Sequence, residues 1–460
     1  MRPGRPFVHL VPVADGGASR IRVEGLPAGL SFDAATRVIS GRARARGEHA
    51  VTVSGEDANG PWSGQLELLV GGDICLTPPL GWNSWNCFGP AVSEEAVRQA
   101  ALVLVGSGLA ALGWSTINID DGWQGDRDRR GRLQPNAKFR DLGALCADLH
   151  AMGLRAGIYS SPGPTTCAGF GGSAGHEAED AASFAAWGFD YLKYDWCSAG
   201  PIDDETPIDR LVEPFGRMRN ALDRVNRDFV YHVSEYGFGK VWEWARERAG
   251  ANAWRTTGDI DDTWGSVDGI GFGQDDLAAF AGPGGWNDPD MLVVGRVGGA
   301  WNRSIRASRL TLDEQRTHFG LWALLGAPLL LGCDLSELET DVLAIVANEE
   351  ILAAHQDVLG LQARRRHVRG AVETWEKPMA DGSTVVGVFN RGPAPTQAAV
   401  DWGDIDIAPP GTVRDLWARR SIEASAGWQE TLPAHGSAIV RVWPGRLGAE
   451  TRVSEAVGGS

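Results

Sequence analysis

The chain has 460 residues, of which 43% are hydrophobic and 22% charged, and this balance is typical of a globular protein and excludes a disordered or collagen-like chain. The formal net charge is -16 and no basic run exceeds Arg364-Arg365-Arg366, so nucleic acid and anionic lipid are not expected partners, whereas an uncharged ligand is. No apolar run reaches the ~18 residues that a membrane span needs.

Tryptophan is unusually frequent, with 19 Trp against only five Tyr. An indole ring has a flat apolar face and one polar edge, which suits the C–H face of a sugar. We nevertheless expect most of these rings to lie in the core.

The six cysteines, at positions 75, 87, 146, 167, 197 and 333, include no CxxC pair, which argues against a zinc site or a redox motif. Cys167 and Cys197 follow neighbouring predicted strands, so a disulfide between them is plausible. Residues 1–12 contain three Pro and no apolar stretch of signal-peptide length, so no export signal is expected there.

Residues 1–74 predict a small β-sandwich. Apolar and polar residues alternate in 49–53 and 65–69, and turn residues such as Asn59-Gly60 separate such segments. The segment resembles the immunoglobulin-like domain found ahead of bacterial catalytic domains, for which a scaffold role is favoured over sugar binding.

Residues 76–362 alternate between predicted strands and helices. One helix begins at Ser93, and the apolar residues that follow it keep a 3.6-residue period; another ends before Gly153, where a C-terminal cap is expected. Eight βα units predict a (β/α)₈ barrel, and the rival doubly wound sheet lacks a glycine-rich phosphate turn after its first strand. The predicted strands are 80–86, 115–123, 155–161, 190–196, 229–237, 253–260, 284–292 and 328–335.

After residue 362, apolar and polar residues again alternate with a period of two. Segments such as STVVGVFNRG and SAIVRVWP predict a C-terminal antiparallel β-sandwich domain over 363–446, and 447–460 is expected to be a flexible tail. Nothing in this part of the sequence indicates catalytic chemistry.

Acidic residues follow most of the predicted barrel strands. Their convergence on one face of a barrel costs electrostatic repulsion and therefore needs an explanation. Three explanations are open. The first is capping of helices, as for Asp288 and Asp334, and the second is a divalent metal site, although no Ca²⁺ loop or HExxH motif is present. The third is glycoside hydrolysis, which needs two carboxyl groups. The acids are Asp120, Asp121, Asp195, Glu235, Asp259, Asp261, Asp262, Asp288, Asp290 and Asp334.

The stretch DYLKYDWCS at 190–198 reads as a barrel strand that delivers Asp195 to its carboxyl end. We interpret Asp195 as a nucleophilic carboxylate. The alternative is an aspartate that caps the following helix.

Seven segments together resemble the successive signature motifs of glycoside hydrolase family 27, which contains α-galactosidases and α-N-acetylgalactosaminidases. The resemblance runs in order from about residue 77 to about residue 362. The segments are TPPLGWNSWN, INIDDGW, GIYSSPGPTTCAGF, YLKYDWC, WRTTGDIDDTW, GGWNDPDMLVVG and ALLGAPLLLGCDL.

The resemblance implies the catalytic pair. The family's YLKxD motif makes Asp195 the nucleophile, and its RxxxD motif makes Asp259, four residues after Arg255, the acid/base. Asp261 and Asp262 are excluded as the acid/base only by this spacing.

The same motifs imply the substrate-binding residues. Asp120 and Asp121 would accept hydrogen bonds from the 4- and 6-hydroxyls, and Lys193 would reach the 3- and 4-hydroxyls and help keep the nucleophile ionised. The remaining expected contacts are Arg255 and Glu235 at the 2-hydroxyl, Trp85 on the apolar face, Tyr159, Asp290 and Met291 in the wall, and Cys167 bonded to Cys197 beside the pocket.

Some positions depart from the family pattern or narrow the substrate. Gly122 stands where the family often has Cys, so one further disulfide is missing. Glu235 stands where enzymes that accept a 2-acetamido group have a small residue, which favours galactose over N-acetylgalactosamine. Asp at both 120 and 121 favours a sugar with a 6-hydroxyl over an arabinopyranoside.

The implied activity is that of a retaining exo-α-galactosidase, in which the two carboxyl groups are about 5–5.5 Å apart. An isomalto-dextranase of the same family remains an alternative, because loops beyond the first sugar subsite decide between them. An inactive galactose-binding protein is the alternative of another class.

No cofactor and no metal are expected, and the partner is a carbohydrate with a terminal α-galactoside. The family resemblance favours a periplasmic or secreted protein whose export signal is missing from this chain, with a cytoplasmic address still open. The oligomeric state is left undetermined by the sequence.

Overall fold

The computed structural model describes residues 1–12, 19–57, 60–203, 205–301, 304–408, 410–423 and 427–445. The expected tail, 447–460, and Asn59 of the predicted turn lie outside the described residues. The fold class predicted from the sequence is confirmed: an N-terminal sandwich, a parallel eight-stranded barrel and a C-terminal antiparallel sandwich follow one another along the chain.

The N-terminal sandwich consists of two three-stranded antiparallel sheets, with strand orders β1-β4-β3 and β2-β5-β6. Val11, Ile39 and Val53 form its own small apolar core. Its strands are β1 (Phe7–Leu10), β2 (Ser19–Glu24), β3 (Leu30–Asp33), β4 (Val38–Gly41), β5 (Gly47–Asp57) and β6 (Gly60–Val70).

The central part of the chain forms the barrel. The strands in this part of the chain are β7 (Leu80–Asn83), β8 (Thr116–Asn118), β9 (Gln124–Arg127), β10 (Leu133–Pro135), β11 (Arg155–Ser160), β12 (Tyr191–Asp195), β13 (Val230–Ser234), β14 (Ala253–Arg255), β15 (Trp286–Asp288), β16 (Arg296–Val297), β17 (Arg306–Ala307) and β18 (Leu329–Leu331). Eight of them pair in parallel in the order β15-β14-β13-β12-β11-β8-β7-β18. Leu292, beyond β15, closes the ring, because its N–H donates to Leu330 O (2.8 Å) and its carbonyl accepts from Gly332 N (3.0 Å).

Helices alternate with the barrel strands, and their ends carry the caps expected from the sequence. Ser93 Oγ accepts a hydrogen bond from Ala96 N at the start of α2, and Gly153 follows α3 with a left-handed φ of 79°. The helices are α1 (Trp85–Phe88), α2 (Glu94–Gly106), α3 (Leu142–Ala151), α4 (Glu177–Trp187), α5 (Ile208–Arg224), α6 (Val241–Ala249), α7 (Trp264–Gly271), α8 (Leu312–Leu325), α9 (Thr340–Val346) and α10 (Glu349–His355).

The C-terminal domain contains a six-stranded antiparallel sheet, ordered β19-β20-β21-β26-β23-β24, and a two-stranded sheet of β22 and β25. Apolar side chains such as Val386, Val400 and Trp428 fill the space between them. Its strands are β19 (Arg364–Arg369), β20 (Val372–Pro378), β21 (Thr384–Asn390), β22 (Thr396–Asp401), β23 (Pro410–Asp415), β24 (Arg420–Ile422), β25 (Gly427–Leu432) and β26 (Ser437–Pro444).

Both flanking domains pack on the barrel. Val8, Leu10 and Val38 of the N-terminal sandwich, and Trp375 and Ile439 of the C-terminal domain, belong to the same apolar cluster as the barrel core. Within the described ranges, no helix is both long and apolar enough to cross a membrane.

Candidate active site

The acidic residues singled out in the sequence lie at the carboxyl ends of consecutive barrel strands. Asp195 is the last residue of β12, Glu235 follows β13 directly, and Arg255 is the last residue of β14. Asp120 and Asp290 each lie two residues beyond the end of a strand. Because parallel barrel strands all end on the same face, these side chains share one end of the barrel.

Asp120 and Lys193 form a buried ion pair at this end. Lys193 Nζ donates to Asp120 Oδ2 at 3.0 Å, and Asn83 Nδ2 donates to the same oxygen at 2.8 Å. Burial acts to lower the pKa of Lys193, but the charges of Asp120, Asp195 and Asp290 raise it above its ordinary value. The lysine therefore keeps its positive charge among the carboxylates.

Asp121 connects the barrel to the loop that follows β11. Its Oδ2 accepts a hydrogen bond from Ala168 N at 2.8 Å, while its Oδ1 has no partner among the described residues. Burial raises the pKa of Asp121 to about 6. One oxygen of this carboxyl group is thus buried without a hydrogen-bond partner among the described residues.

Asp195 is buried and only partly engaged. Tyr159 OH donates to its Oδ2 at 3.1 Å, and Oδ1 has no hydrogen-bond partner in the part of the chain that the structure describes. Burial raises the pKa of Asp195, the Lys193 ammonium lowers it, and the carboxylates of Asp259 and Asp120 raise it further. A carboxylate with a free oxygen beside a fixed cation can act as a nucleophile.

The predicted disulfide is confirmed: Cys167, in the loop after β11, is bonded to Cys197, two residues after Asp195. Among the described residues, the one group of three potential ligand atoms within 4.8 Å consists of these two sulfurs and the Asp195 carboxylate. Because the sulfurs are joined to each other, they are not the thiolates that a soft metal ion binds.

Tyr236 belongs to this site and was missed in the sequence. Its OH lies 3.5 Å from Cys167 Sγ, and its hydroxyl lowers the pKa of the Asp195 carboxyl group. Burial and the neighbouring charges of Asp195 and Asp259 raise the pKa of Tyr236. The available signal was an aromatic residue directly after a strand-end acid.

Arg255 links two carboxylates. Its Nη2 lies 3.1 Å from Asp259 Oδ1 and 3.1 Å from Asp290 Oδ2. Arg255 is 2% exposed whereas the Asp259 side chain is 67% exposed, so a buried guanidinium holds a carboxyl group at the mouth of the site. Asp290 also accepts from Ile260 N at 2.9 Å, which fixes the loop next to Asp259.

Asp261 and Asp262, the neighbouring alternatives to Asp259 as the acid/base, form hydrogen bonds of their own. The side chain of Asp262 is fully buried and accepts from Arg309 N at 2.8 Å and from the guanidinium of Arg306. Burial acts to raise its pKa, but the hydrogen bonds from these arginines lower it to about 2. Asp261 Oδ1 accepts from Thr263 N at 2.9 Å. Asp262 is therefore unsuited to proton donation near neutral pH.

Glu235 is fully buried. Its Oε1 accepts from Gly237 N at 3.2 Å, and no described residue provides a partner for Oε2. Burial raises the pKa of Glu235 to about 8, against the opposing effects of the Gly237 and Phe238 N–H groups and of Arg255.

The remaining candidates fall into two groups. Trp85 lies half-buried at the start of α1, directly beyond the carboxyl end of β7, and Met291 is buried next to Asp290. By contrast, Asp334 Oδ1 caps a short 3₁₀ helix by accepting from Ser336 N at 3.0 Å, and Asp288 Oδ2 lies 2.8 Å from His232 Nε2. The helix-capping explanation therefore accounts for Asp334, and Asp288 is engaged inside the barrel.

Comparison with known proteins places these residues in a family context. A family model described as "Alpha galactosidase A" matches residues 77–357, one described as "Alpha galactosidase C-terminal beta sandwich domain" matches 369–442, and an Ig domain model matches 3–67. Alpha-galactosidase 3 of Arabidopsis thaliana is 40% identical over 81% of this chain and 82% of its own length.

Two solved structures are also similar. A candidate α-galactosidase/melibiase from Bacteroides fragilis superposes with a TM-score of 0.91 at 34% identity, over 96% of this chain and 95% of that chain. Alpha-galactosidase I from Mortierella vinacea superposes with a TM-score of 0.74 at 32% identity, over 81% of this chain and 98% of that chain.

Proposed function

The chain belongs to the α-galactosidase family, glycoside hydrolase family 27, and we propose that it releases terminal α-linked galactose from oligo- or polysaccharides as a retaining exo-glycosidase. The observation that carries the proposal is a pair of unlike carboxyl groups at one end of the barrel. Asp195 is buried with one free oxygen, and Asp259 is exposed and held by a buried arginine.

In the proposed reaction, an Asp195 oxygen forms a bond to the anomeric carbon while the bond from that carbon to the aglycone oxygen breaks. Asp259 gives its proton to the departing aglycone oxygen. In the second step, water attacks the same carbon and loses a proton to Asp259, and the bond to Asp195 breaks. Each residue returns to its starting state, and the sugar keeps its α-configuration.

Asp195 and Asp259 are assigned different roles because their environments differ. A nucleophile must be protected from water and held in one orientation, and Asp195 is 7% exposed and hydrogen-bonded by Tyr159. An acid/base must exchange protons with the leaving group and with water, which suits the exposed position of Asp259 at the mouth.

Binding of the sugar is proposed to use the groups left unengaged in the site. Asp121 Oδ1 and Glu235 Oε2 are buried acceptors without a partner among the described residues, and a buried polar atom that stays unpaired is costly. We assign the 4- and 6-hydroxyls to Asp120 and Asp121 and the 2-hydroxyl to Glu235.

The proposal also covers the other contacts implied by the motifs. Lys193 is assigned to the 3- and 4-hydroxyls, Arg255 to the 2-hydroxyl, and Trp85 to the apolar face of the ring. Tyr159, Asp290, Met291 and the Cys167–Cys197 disulfide form the wall in this assignment.

Glu235 supports galactose as the preferred sugar. Its carboxyl group is fully buried and hydrogen-bonded by Gly237, so it cannot move aside at low cost for a 2-acetamido group. We therefore propose that N-acetylgalactosaminides are poor substrates.

A panel of p-nitrophenyl α-glycosides, followed by NMR of the first-formed sugar anomer, tests the proposal. We expect the galactoside to be cleaved much faster than the glucoside or the N-acetylgalactosaminide, and α-galactose to appear first. Raffinose should release galactose, whereas dextran should not be cut. First-formed β-galactose would rule out retention, and cleavage of dextran alone would favour the isomalto-dextranase alternative.

The inactive-lectin alternative is separated by the Asp195→Ala variant. We expect the wild type to turn over the galactoside and the variant to lose activity by several orders of magnitude. Equal galactose binding by the two proteins with turnover by neither would establish a binding protein instead.

We also propose that the protein acts outside the cytoplasm, in the periplasm or after secretion. The disulfide beside the nucleophile supports this address, because disulfides persist in oxidising compartments and are rare in the cytosol. Fractionation of the producing cells, with activity measured in each fraction, tests it.

A further inference from the structure

The C-terminal domain contacts the barrel through His435, in the turn between β25 and β26. The His435 imidazole stacks on the indole of Trp264, with ring centroids 4.3 Å apart and an angle of 9° between the ring planes. Its Nδ1 donates to Glu314 Oε1 at 2.6 Å, and its carbonyl accepts from Thr317 Oγ1 at 2.7 Å. Trp264 belongs to α7 and Glu314 to α8, so one residue of another domain bridges two barrel helices.

The backbone of His435 is held in an unfavourable conformation. Its φ is 55°, in the left-handed region that residues other than glycine rarely adopt. Such a conformation persists where the surrounding contacts fix the residue. The stack on Trp264, the bond to Glu314 and a bond from His435 N to Gly392 O at 3.1 Å fix it here.

Helix α7, the first of the two bridged helices, begins where the loop that carries Asp259 ends. Trp264 is the first residue of this helix. Asp261 N, in the loop, donates to Ser266 Oγ in the first turn of α7 at 3.0 Å. The position of Trp264 against His435 is therefore passed directly to the end of the Asp259 loop.

Helix α8, the second bridged helix, is connected to the same loop from the other side. Glu314 Oε2 accepts from Thr311 N at 2.7 Å at the start of α8, while Glu314 Oε1 accepts from His435. Arg309 lies two residues before Thr311, and its N–H donates to Asp262 Oδ2 at 2.8 Å. The contact of His435 with α8 thus reaches the loop through Asp262.

The domain that supplies His435 is itself anchored to α7. Arg391 donates from Nε to Asp268 Oδ1 at 2.6 Å and from Nη2 to Asp268 Oδ2 at 2.8 Å. Its guanidinium also lies 4.7 Å from the centroid of the Phe272 ring. Because a bidentate arginine–carboxylate pair fixes both distance and orientation, His435 is presented to the barrel from a defined direction.

We propose that His435 is a positioning residue for the acid/base. By bridging α7 and α8 it keeps the loop at residues 256–263, and with it the Asp259 carboxyl group, in the place from which a proton reaches the aglycone oxygen. The role given to Asp259 rests on the proposed function, whereas the bridge rests on the contacts of His435 alone. His435 acts through Trp264 and Glu314, so it is not a catalytic residue.

The His435→Asn variant tests the proposal. Asparagine tolerates a left-handed φ, so the turn keeps its backbone while the ring that stacks on Trp264 is lost. A misplaced acid slows the departure of a strongly basic aglycone more than that of a weakly basic one, which leaves without a proton. We expect kcat/KM to fall by roughly three- to tenfold for phenyl α-galactoside, but by less than about twofold for 2,4-dinitrophenyl α-galactoside.

The matched control is Arg419→Asn. Arg419 belongs to the same domain and has a similar φ of 52°, but its Nη2 donates to Ala347 O at 3.3 Å, between α9 and α10. This variant should hydrolyse both galactosides as the wild type does, and thermal melts should show all three proteins folded. An equal fall for the two substrates in His435→Asn, or the same substrate-dependent fall in Arg419→Asn, would overturn the proposal.

Hydrogen exchange followed by mass spectrometry tests the bridge without catalysis. In the ligand-free full-length protein, the amides of residues 256–263 should exchange faster in His435→Asn than in the wild type or Arg419→Asn. Unchanged exchange in His435→Asn would show that His435 does not hold the loop. A wild type that hydrolyses neither galactoside would overturn the proposed function instead, so the two failures are distinguishable.

Discussion

At the scale of single side chains, the ionisation of Asp195 depends on opposing influences. Burial and the neighbouring carboxylates raise its pKa, while Lys193 and hydrogen bonds from tyrosine hydroxyls favour the charged form. If Asp195 loses one of these donors, its carboxyl group stays protonated to a higher pH. The pH profile of the reaction is therefore sensitive to residues that never touch the sugar.

Tyr236→Phe tests this balance. Removal of the hydroxyl that lowers the pKa of Asp195 should raise the pKa of this proposed nucleophile, so the acidic limb of the kcat/KM profile moves to higher pH by roughly 0.5–1 unit. The measurement is kcat/KM for an aryl α-galactoside between pH 3 and pH 8. Tyr194→Phe is the control, because Tyr194 precedes Asp195 but packs against Phe215 of α5. An unmoved acidic limb in Tyr236→Phe would contradict the prediction.

Glu235→Gln is predicted to change how stability depends on pH. The ligand-free protein holds Glu235 with a pKa of about 8, above the ordinary value of 4.5, because the carboxyl group is buried. The folded state then binds a proton that the unfolded state releases, so this residue's contribution to stability is complete below about pH 4.5 and is lost as the pH rises through about 8. A glutamine at position 235 does not titrate, so the variant loses no stability in this way.

The Tm difference between Glu235→Gln and wild type should therefore grow in favour of the variant from about pH 5 to pH 8 and level off above. Thermal melts across this range measure it. Glu247→Gln is the matched control, since Glu247 is 80% exposed and undergoes the same change of charge. A constant difference between variant and wild type would show that Glu235 is already ionised at low pH.

The sequence could predict part of the candidate site at this scale. Strand-end position and motif resemblance predicted Asp120, Lys193 and Asp195, because backbone alternation and the parallel barrel fix where such residues emerge. Tyr236 and Asn83 were not predicted. The contact of Tyr236 depends on a left-handed φ of 67° and on the disulfide next to it, neither of which has a local sequence signal.

At the scale of elements, the loop between β14 and α7 carries Asp259 and is anchored away from the substrate. Asp262 takes hydrogen bonds from Arg306 and Arg309, which belong to the segment before α8. The loop thus joins two neighbouring βα units of the barrel. The position of the exposed Asp259 carboxyl group, the proposed acid/base, depends on this buried anchor.

Asp262→Asn should loosen the loop. The change removes a buried negative charge from two arginines that are 30% and 43% exposed, so we expect a cost of about 1–3 kcal/mol, below the range for fully buried pairs. Because Asp259 would be held less well, kcat should fall by about tenfold or more with a smaller change in KM. Steady-state kinetics and thermal melts measure both effects.

Asp261→Asn is the matched control for this prediction. Asp261 is the adjacent residue and undergoes the same substitution, but its side chain is about half exposed, accepts from Thr263 N within its own loop, and lies 3.8 Å from Arg309 Nη2, compared with 2.9 Å for Asp262. It should keep most of the kcat. If both variants lost kcat equally, the anchor would not explain the effect.

Strand order could be predicted at this scale, but strand length could not. The predicted second barrel strand covers 115–123, whereas β8 covers only Thr116–Asn118. The backbone leaves the sheet after Asn118 because Ser84 Oγ accepts from Asp120 N and the Asp120 carboxylate accepts from Asp121 N. Apolar alternation does not register such side-chain bonds, so the predicted strand included the loop that builds the site.

At the scale of the whole molecule, the N-terminal sandwich shares an apolar core with the barrel. Val8, Leu10 and Val38 belong to the barrel cluster, and a Cβ added to Gly153 would lie 2.8 Å from Leu10 Cβ. Arg2 adds an ion pair with Asp228 at 2.7 Å. The sequence predicted the existence of this domain but not its docking, because alternation tells which face of a strand is buried and not what covers it.

Leu10→Ala tests whether the N-terminal sandwich and the barrel unfold as one unit. The substitution removes a buried side chain at their interface and should cost about 2–5 kcal/mol, lowering the main calorimetric transition without a new one appearing. Leu102→Ala, at a position that is 54% exposed on α2, should change stability by no more than about 0.5 kcal/mol. Because Leu10 packs at the end of the barrel opposite the carboxylates, kcat/KM for an aryl α-galactoside should be kept by both variants. A separate low-temperature transition that alone responds to Leu10→Ala would mean that the sandwich unfolds independently of the barrel.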